Sequence, residues 1–221
     1  MRRLVLVRHG ESRWNAEARI QGQACAGLSA TGHAQARVTA AALAATYPKA
    51  TLVASDLQRT IETASPLAAE LGVEVRQDPG LRERAFGRWE GMLRSEVAAA
   101  DRARWSRWLE GEDVVAEIGG ESAQQLADRV EPVLRGLIEK TEPGEVTIAV
   151  THGGPVWHGV HRVLGVVPGT FGGVSNASVT ELLAIDGHLV IDRWNEVAHL
   201  PVQLRVEWSA ASASDAPPVG R

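Results

Sequence analysis

Three segments of this chain carry residues that could bind and attack a phosphoryl group. Arg8–Gly10 places a guanidinium, an imidazole and a glycine directly after a short apolar run. Ser55–Thr60 contains Arg59, and Thr151–Gly154 contains His152. Two guanidiniums and two imidazoles that meet in one place form a cationic pocket for a dianion. The residue types therefore predict an anion site, provided that the fold brings these segments together.

His9 is the candidate nucleophile of this site. A neutral imidazole can attack phosphorus, and the neighbouring Arg8 and Arg59 disfavour protonation of the ring. His152 and the two arginines would hold the oxygens of the transferred group, which is a matter of positioning and charge and requires neither a metal nor a cofactor. Asn15, in the loop that follows, can donate one more hydrogen bond.

Departure of an alkoxide needs a proton, and Glu83, between Arg82 and Arg84, is the best-placed carboxyl group in the sequence. A bound dianion nearby favours the protonated form of Glu83, and the resulting carboxylate could then deprotonate water in a second step. The N–H groups of Gly153 and Gly154, at the predicted start of a helix, would add donors and a positive dipole end for the anion.

These groups can meet only if their segments end neighbouring strands. Leu4–Val7, Thr51–Ala54 and Glu145–Val150 are apolar runs with little alternation, which is typical of parallel strands covered on both faces. The carboxyl ends of parallel strands lie at one edge of a sheet, where open α/β sheets bind ligands. Ala-rich and amphipathic segments between the runs predict helices over Gln35–Thr46 and Ser122–Glu139. The sequence therefore predicts an α/β fold.

Several local signals make more detailed predictions. Ser55–Asp56 offers an N-cap for a helix that ends at residue 71, and Pro155 suits the first position of another helix. Alternation over Val73–Arg76 predicts an edge strand, and residues 93–110 are typical of a single helix. Asp186–Gly187 between two apolar runs predicts a hairpin.

Composition excludes several classes of protein. The chain has 221 residues, of which 44% are hydrophobic, and a formal net charge of −4, which argues against a nucleic-acid binder. Cys25 is the only cysteine, so no disulfide within the chain is expected. No stretch approaches the roughly 20 apolar residues of a membrane helix, and a cytoplasmic protein is expected. We expect one domain over residues 1–208 and a flexible tail over 209–221.

Several motifs in this sequence occur in the same order as in a known family. They are Arg8-His9-Gly10-Glu11-Ser12, Leu28-Ser29 with Gly32 and Gln35-Ala36, Ser55-Asp56-Leu57-Gln58-Arg59-Thr60 with Thr63-Ala64, Glu83 with Gly87-Arg88-Trp89-Glu90-Gly91, Gly120-Glu121-Ser122, and Thr151-His152-Gly153-Gly154. Over roughly residues 3–195 the chain resembles the phosphoglycerate-mutase-like branch of the histidine phosphatase superfamily.

The resemblance implies a three-layer α/β/α fold with a mostly parallel central sheet. It also implies that His9 is phosphorylated, that Arg8, Arg59 and His152 bind phosphate, and that Glu83 donates the proton. Asn15 matches a phosphate-contacting position in many members of the family. The implied activity is metal-independent hydrolysis of small-molecule phosphomonoesters.

Two other functions stay open at this point. Mutases of this branch typically carry Arg-His-Tyr-Gly after the acid and then a sizeable insertion, whereas this chain has Arg84–Gly87 and a compact segment up to Gly119-Gly120. A 2,3-bisphosphoglycerate-dependent mutase is therefore the less favoured alternative to a phosphatase. A phosphate-binding module without turnover would be expected to lack one of His9, Arg59, Glu83 or His152, and all four are present.

Substrate choice is poorly encoded in the sequence. Gln21, Gly22, Arg94, Trp105 and Trp108 are candidates for a lid or for specificity, although tryptophans of this kind are more often packing residues. His158 and His161 lie three residues apart without a carboxylate or cysteine at ligand spacing, so ordinary histidines are favoured over a metal pair. The oligomeric state stays open, with a homodimer among the alternatives.

Overall fold

The structure is a computed structural model that describes residues 1–24 and 26–205. Its helices and strands, in chain order, are β1 (Arg2–Arg8), α1 (Arg13–Ala16), α2 (Ala30–Thr46), β2 (Thr51–Ala54), α3 (Gln58–Leu71), β3 (Arg76–Gln77), α4 (Arg94–Ala100), α5 (Arg102–Leu109), α6 (Ala123–Lys140), β4 (Val146–Thr151), α7 (Gly153–Leu164), β5 (Val179–Ile185) and β6 (His188–Glu196). Short 3₁₀ turns cover Pro79–Leu81, Gly87–Trp89, Val115–Ile118 and Val202–Leu204. Cys25 and the predicted tail over 209–221 lie outside the described residues.

The strands form a six-stranded sheet in the order β3-β2-β4-β1-β5-β6. The strands from β3 to β1 are parallel, and β5 and β6 continue the sheet as an antiparallel hairpin. Arg8 pairs with Thr151, and Ala54 pairs with Val150. The carboxyl ends of the three central parallel strands therefore lie side by side. The α/β fold with a mostly parallel sheet is confirmed.

Alternate residues of β1 face two different helical layers. Leu4 and Leu6 pack in a cluster with apolar residues of α6 and α7. Val5 and Val7 pack on the other face, with residues of α2 and α3. All four side chains are buried. Because both faces of the strand are covered, the apolar run needs no polar alternation.

A third apolar cluster lies outside the two layers. It contains Ile20, Phe86, Trp89, Val97, Trp108, Val114, Val115 and Ile118. The segment predicted as one helix over residues 93–110 belongs to this region and is two helices, because the backbone leaves the helical conformation at Asp101 (φ −140°, ψ 57°). The cluster supports the loop that carries Glu83.

The end of α3 explains one further difference from the prediction. The predicted edge strand over Val73–Arg76 is replaced by β3, which has only two residues. Gly72 ends α3 in the left-handed conformation, and the Val73 N–H closes that helix on the carbonyl of Ala68. These residues belong to the helix end, so strand pairing begins only at Arg76.

Two more differences concern helix starts. α3 has Leu57 as its N-cap with no side-chain hydrogen bond, so Ser55–Asp56 does not cap it. α7 begins at Gly153, so Pro155 occupies the third helical position, where a missing N–H still costs nothing because the first four N–H groups have no partner within a helix. The predicted hairpin at Asp186–Gly187 is confirmed, with both residues at positive φ.

Candidate active site

His9 follows β1 and is completely buried. Its Nδ1 lies 2.6 Å from the carbonyl oxygen of Gly10, which can only accept, so Nδ1 carries the ring hydrogen. Nε2 therefore carries the lone pair of the ring. The backbone N–H of Gly10 donates to the Thr63 hydroxyl over 3.1 Å, which holds this turn against α3.

Arg59 joins the two imidazoles. Its Nε–H lies 3.2 Å from His9 Nε2 and 3.1 Å from His152 Nδ1, and the ring centroids are 5.2 Å apart. Since His152 Nδ1 accepts this hydrogen, its Nε2 donates to the hydroxyl of Ser55 over 2.9 Å. Arg59 is the second residue of α3, and its side chain leans toward the helix start, so it reaches back over the strand ends.

Both imidazoles are electrically neutral in this environment. Burial is the first cause that lowers the pKa of His9 well below its usual value, and the positive charges of Arg59 and Arg8 lower it further. Burial likewise lowers the pKa of His152, with Arg59 as the next cause. A neutral ring is the nucleophilic form, so this electrostatic setting favours attack by His9.

The carboxylate of Glu83 reaches the start of α7. It accepts hydrogen bonds from the backbone N–H of Arg84 over 2.8 Å and from that of Gly154 over 3.2 Å. A Cβ atom on Gly154 would lie 2.2 Å from Oε1 of Glu83, so the approach requires glycine here. Because Gly154 follows His152 by two residues, the structure brings the candidate acid to the edge of the sheet where the imidazoles lie.

Arg8 and Asn15 belong to the same edge of the sheet. Arg8 is buried, and its Nη1 donates to the carbonyl of Val174 over 2.5 Å. The Asn15 side-chain oxygen accepts from the backbone N–H of Ser12 over 3.1 Å and from Asn176 Nδ2 over 3.3 Å. Both contacts use the amide oxygen, which leaves Nδ2 as the donor of this side chain.

The loop over residues 21–24 closes one side of the site. Gly22 and Ala24 accept hydrogen bonds from Arg59 Nη2 and Nη1, over 2.7 and 3.0 Å. Gln21 is 1% exposed, and its side-chain oxygen accepts from Ser12 Oγ over 2.7 Å. The structure therefore places Gln21 and Gly22 beside the candidate phosphate pocket.

The tryptophans named as candidates for a lid pack in or against the third apolar cluster. Trp108 is 2% exposed and meets Phe86 and Trp89 edge to face, with ring centroids 6.3 and 6.1 Å apart. Trp105 packs on Trp108 at 5.2 Å. Arg94 opens α4, and its backbone N–H donates to Ala18. These contacts match the packing alternative that the sequence left open for the tryptophans.

Three residues of the site have roles that their sequence context did not indicate. Ser55 is the partner of His152 and not a helix cap. Asn176, in the loop before β5, donates to the carbonyl of His9 over 3.0 Å, and no motif marks it. Glu90 accepts from the backbone N–H groups of Gln23, Ala24 and Phe86. Glu90 stands in the Trp89-Glu90-Gly91 motif, and this is the one signal that could have found it.

His161, one of the two histidines on α7, is held by protein groups. His161 Nδ1 donates to the carbonyl of Trp157 over 2.6 Å, and its Nε2 accepts from the backbone N–H of Phe171 over 3.3 Å. Within residues 1–24 and 26–205, no group of three or more His, Cys, Asp or Glu side chains could hold a metal ion. The helices in this same part of the chain are too short or too polar to cross a membrane.

The chain is similar to one protein family and to proteins of known function over most of its length. The model of the histidine phosphatase superfamily (branch 1) matches residues 4–197. A metal-independent phosphoserine phosphatase of Arabidopsis thaliana is 36% identical over 199 residues, which cover 89% of this chain and 82% of that protein. A glucosyl-3-phosphoglycerate phosphatase of Mycolicibacterium vanbaalenii is 38% identical over 197 residues, covering 82% of this chain and 84% of that protein.

Solved structures show the same likeness. A mycobacterial glucosyl-3-phosphoglycerate phosphatase in complex with VO3 superposes with a TM-score of 0.79 at 34% sequence identity. The match covers 89% of this chain and 100% of that one. The sheet and its helical layers are thus shared over nearly the whole of that structure.

Proposed function

Because the chain belongs to branch 1 of the histidine phosphatase superfamily, we propose that it hydrolyses phosphomonoesters of small metabolites through a phosphohistidine intermediate on His9. One observation carries the proposal. The Nε–H of Arg59 lies between the lone pairs of His9 Nε2 and His152 Nδ1, at 3.2 and 3.1 Å. Two neutral imidazoles and a guanidinium thereby meet at the carboxyl edge of the sheet, and these groups suit a phosphoryl dianion.

In the first step, the lone pair of His9 Nε2 attacks phosphorus, and the bond from phosphorus to the ester oxygen breaks. Arg8, Arg59 and His152 hold the phosphoryl oxygens, and Glu83 gives its proton to the departing alkoxide. The Nδ1–H of His9 donates to the carbonyl of Gly10, which stabilises the positive charge that the ring acquires.

In the second step, water attacks the phosphorus atom, and the carboxylate of Glu83 takes a proton from that water. The bond between phosphorus and His9 Nε2 breaks, inorganic phosphate leaves, and the imidazole returns to its neutral form. Burial and the two arginines favour this neutral product, so the electrostatic environment assists release of the phosphoryl group from the ring.

The substrates named for the relatives define the first esters to test. Phosphoserine and glucosyl-3-phosphoglycerate are small, anionic phosphomonoesters, and we propose this class for the present chain. Phosphate release from both esters and from para-nitrophenyl phosphate, with a chelator present, measures the activity directly. A wild-type protein without turnover would instead favour a phosphate-binding module. Isomerisation of 3-phosphoglycerate that depends on 2,3-bisphosphoglycerate would favour a mutase.

The covalent step is tested by His9→Ala, which we expect to abolish turnover because the variant lacks the Nε2 lone pair that attacks phosphorus. Rapid quenching with a ³²P-labelled ester should leave an acid-labile, base-stable label on the wild type and none on the variant. His188→Ala, at the exposed start of β6, is the matched control and should keep both activity and label. A label that persists in His9→Ala would contradict the assignment of the nucleophile.

A further inference from the structure

One arginine, which lies outside every sequence motif, forms hydrogen bonds with the backbone of the segment that carries Glu83. Arg129, on α6, donates through Nη1 to the carbonyls of Gly80 and Arg82, over 2.9 and 3.0 Å. Its Nη2 donates to the carbonyl of Glu83 over 3.2 Å. Nε and Nη2 also form a two-point ion pair with the carboxylate of Glu121, over 2.8 and 2.7 Å.

Glu121 connects this arginine to the residues on the other side of Glu83. Its backbone N–H donates to the carbonyl of Ala85 over 2.8 Å, and its carbonyl accepts from Arg84 Nε over 2.7 Å. Arg84 is almost completely buried and also pairs with Asp113. The main chain before and after the candidate acid is therefore tied to Glu121.

This region has no strand or helix to hold it. Glu83 lies between two 3₁₀ turns, Pro79–Leu81 and Gly87–Trp89, so its backbone carbonyls need donors from elsewhere. A planar guanidinium can serve several carbonyls and a carboxylate at once, whereas an ammonium group has three donors on a single nitrogen. The geometry of Arg129 is thus one that lysine cannot reproduce.

We propose that the Glu121–Arg129 ion pair is a positioning device for Glu83, which places its carboxyl group for proton transfer to the leaving group. This inference rests on the phosphatase activity proposed above and adds two positioning residues to it. A purely structural role for the pair would lower stability and slow all substrates alike. A positioning role penalises those substrates whose leaving group needs the proton.

The test compares esters that differ in their need for the proton. For Arg129→Lys and Glu121→Gln, we expect kcat/KM to fall about 10- to 100-fold on an alkyl phosphate and by much less on dinitrophenyl phosphate. The dependence of log kcat/KM on leaving-group pKa should steepen in the same sense as in Glu83→Gln. On the alkyl ester, the double variant Glu83→Gln/Arg129→Lys should be no slower than Glu83→Gln alone.

Arg135→Lys is the matched control, because Arg135 lies on the same helix and pairs with Glu131 over 3.0 Å. It should leave the leaving-group dependence unchanged. If Arg129→Lys does not fold, Glu121→Gln alone decides the matter, since it keeps the shape of the side chain.

Two results would overturn the inference while leaving the phosphatase proposal intact. One is an equal loss on both esters accompanied by a lower melting temperature, and the other is additive losses in the double variant. In both cases Glu83→Gln would still discriminate between the esters. A wild-type protein without phosphate release would overturn both proposals, so the two failures are distinguishable.

Discussion

Gly154 is a position at which a side chain would collide with the candidate acid, and Gly154→Ala tests how closely Glu83 must be held. The ideal Cβ would lie 2.2 Å from Glu83 Oε1 and 3.2 Å from Leu126 Cδ2. The backbone of Gly154 is helical, so alanine suits its conformation. The substitution therefore moves the carboxylate and leaves the fold in place.

The size of the effect follows from this distance. A Cβ–oxygen separation of 2.2 Å must grow by about 1 Å to reach van der Waals contact. Leu126 lies against the same Cβ, so the carboxylate has to give way. A misplacement of about 1 Å can cost a reaction about 100-fold, and general acid catalysis as a whole contributes about 10²–10⁴-fold. We expect kcat/KM on an alkyl phosphate to fall about 100-fold.

The assay measures kcat/KM of Gly154→Ala on an alkyl phosphate and on dinitrophenyl phosphate, together with thermal unfolding. Gly136→Ala is the matched control, because Gly136 lies in α6 and a Cβ there meets nothing within 4 Å. The control should keep full activity and gain about 0.5–1 kcal/mol of stability from its helix propensity. Alkyl phosphate turnover of Gly154→Ala within about threefold of the wild type, or an equal loss on both esters, would refute the reasoning.

Two predictions concern stability. Trp108→Ala should lower the free energy of unfolding, measured in urea, by about 3–5 kcal/mol because the indole is buried among aromatic rings. A raised KM with an unchanged free energy of unfolding would instead indicate that Trp108 belongs to a lid. Burial and the charge of Arg84 lower the pKa of His158 to about 3. Below about pH 6.5 the unfolded chain binds a proton that the folded chain does not, so stability is lost as the pH falls. When the pH falls from 7 to 5, the free energy of unfolding of His158→Gln should drop by about 2 kcal/mol less than that of the wild type. The same pH dependence of unfolding in both proteins would contradict this burial effect.

Much of the site was predictable because its chemistry is local. Arg8 and His9 follow a buried strand directly, and His152 follows another, so strand recognition alone brings them to one edge. Arg59 could be added because helix geometry fixes which way its side chain leans. In each case a short stretch of chain contains both the reactive group and the element that aims it.

The choices that the sequence made wrongly or left open have a different origin. Ser55 can satisfy either a helix start or an imidazole, and only the position of His152 selects the second. The tryptophans of α5 fit either a lid or a core, and Phe86 and Trp89, some twenty residues away, complete the core. Each of these choices depends on a partner that is distant in the chain.

The sequence by itself determined the sheet, the order of the motifs, the family and the set of groups able to bind and attack a phosphoryl ester. Strand periodicity and residue chemistry are local properties, and they can be read without coordinates. Only the tertiary structure decided that one guanidinium contacts both imidazoles, that Gly154 admits the carboxylate of Glu83, and that Arg129 and Glu121 hold the loop behind it. These contacts join residues far apart in the chain, and their distances are set by the packing of whole helices against the sheet.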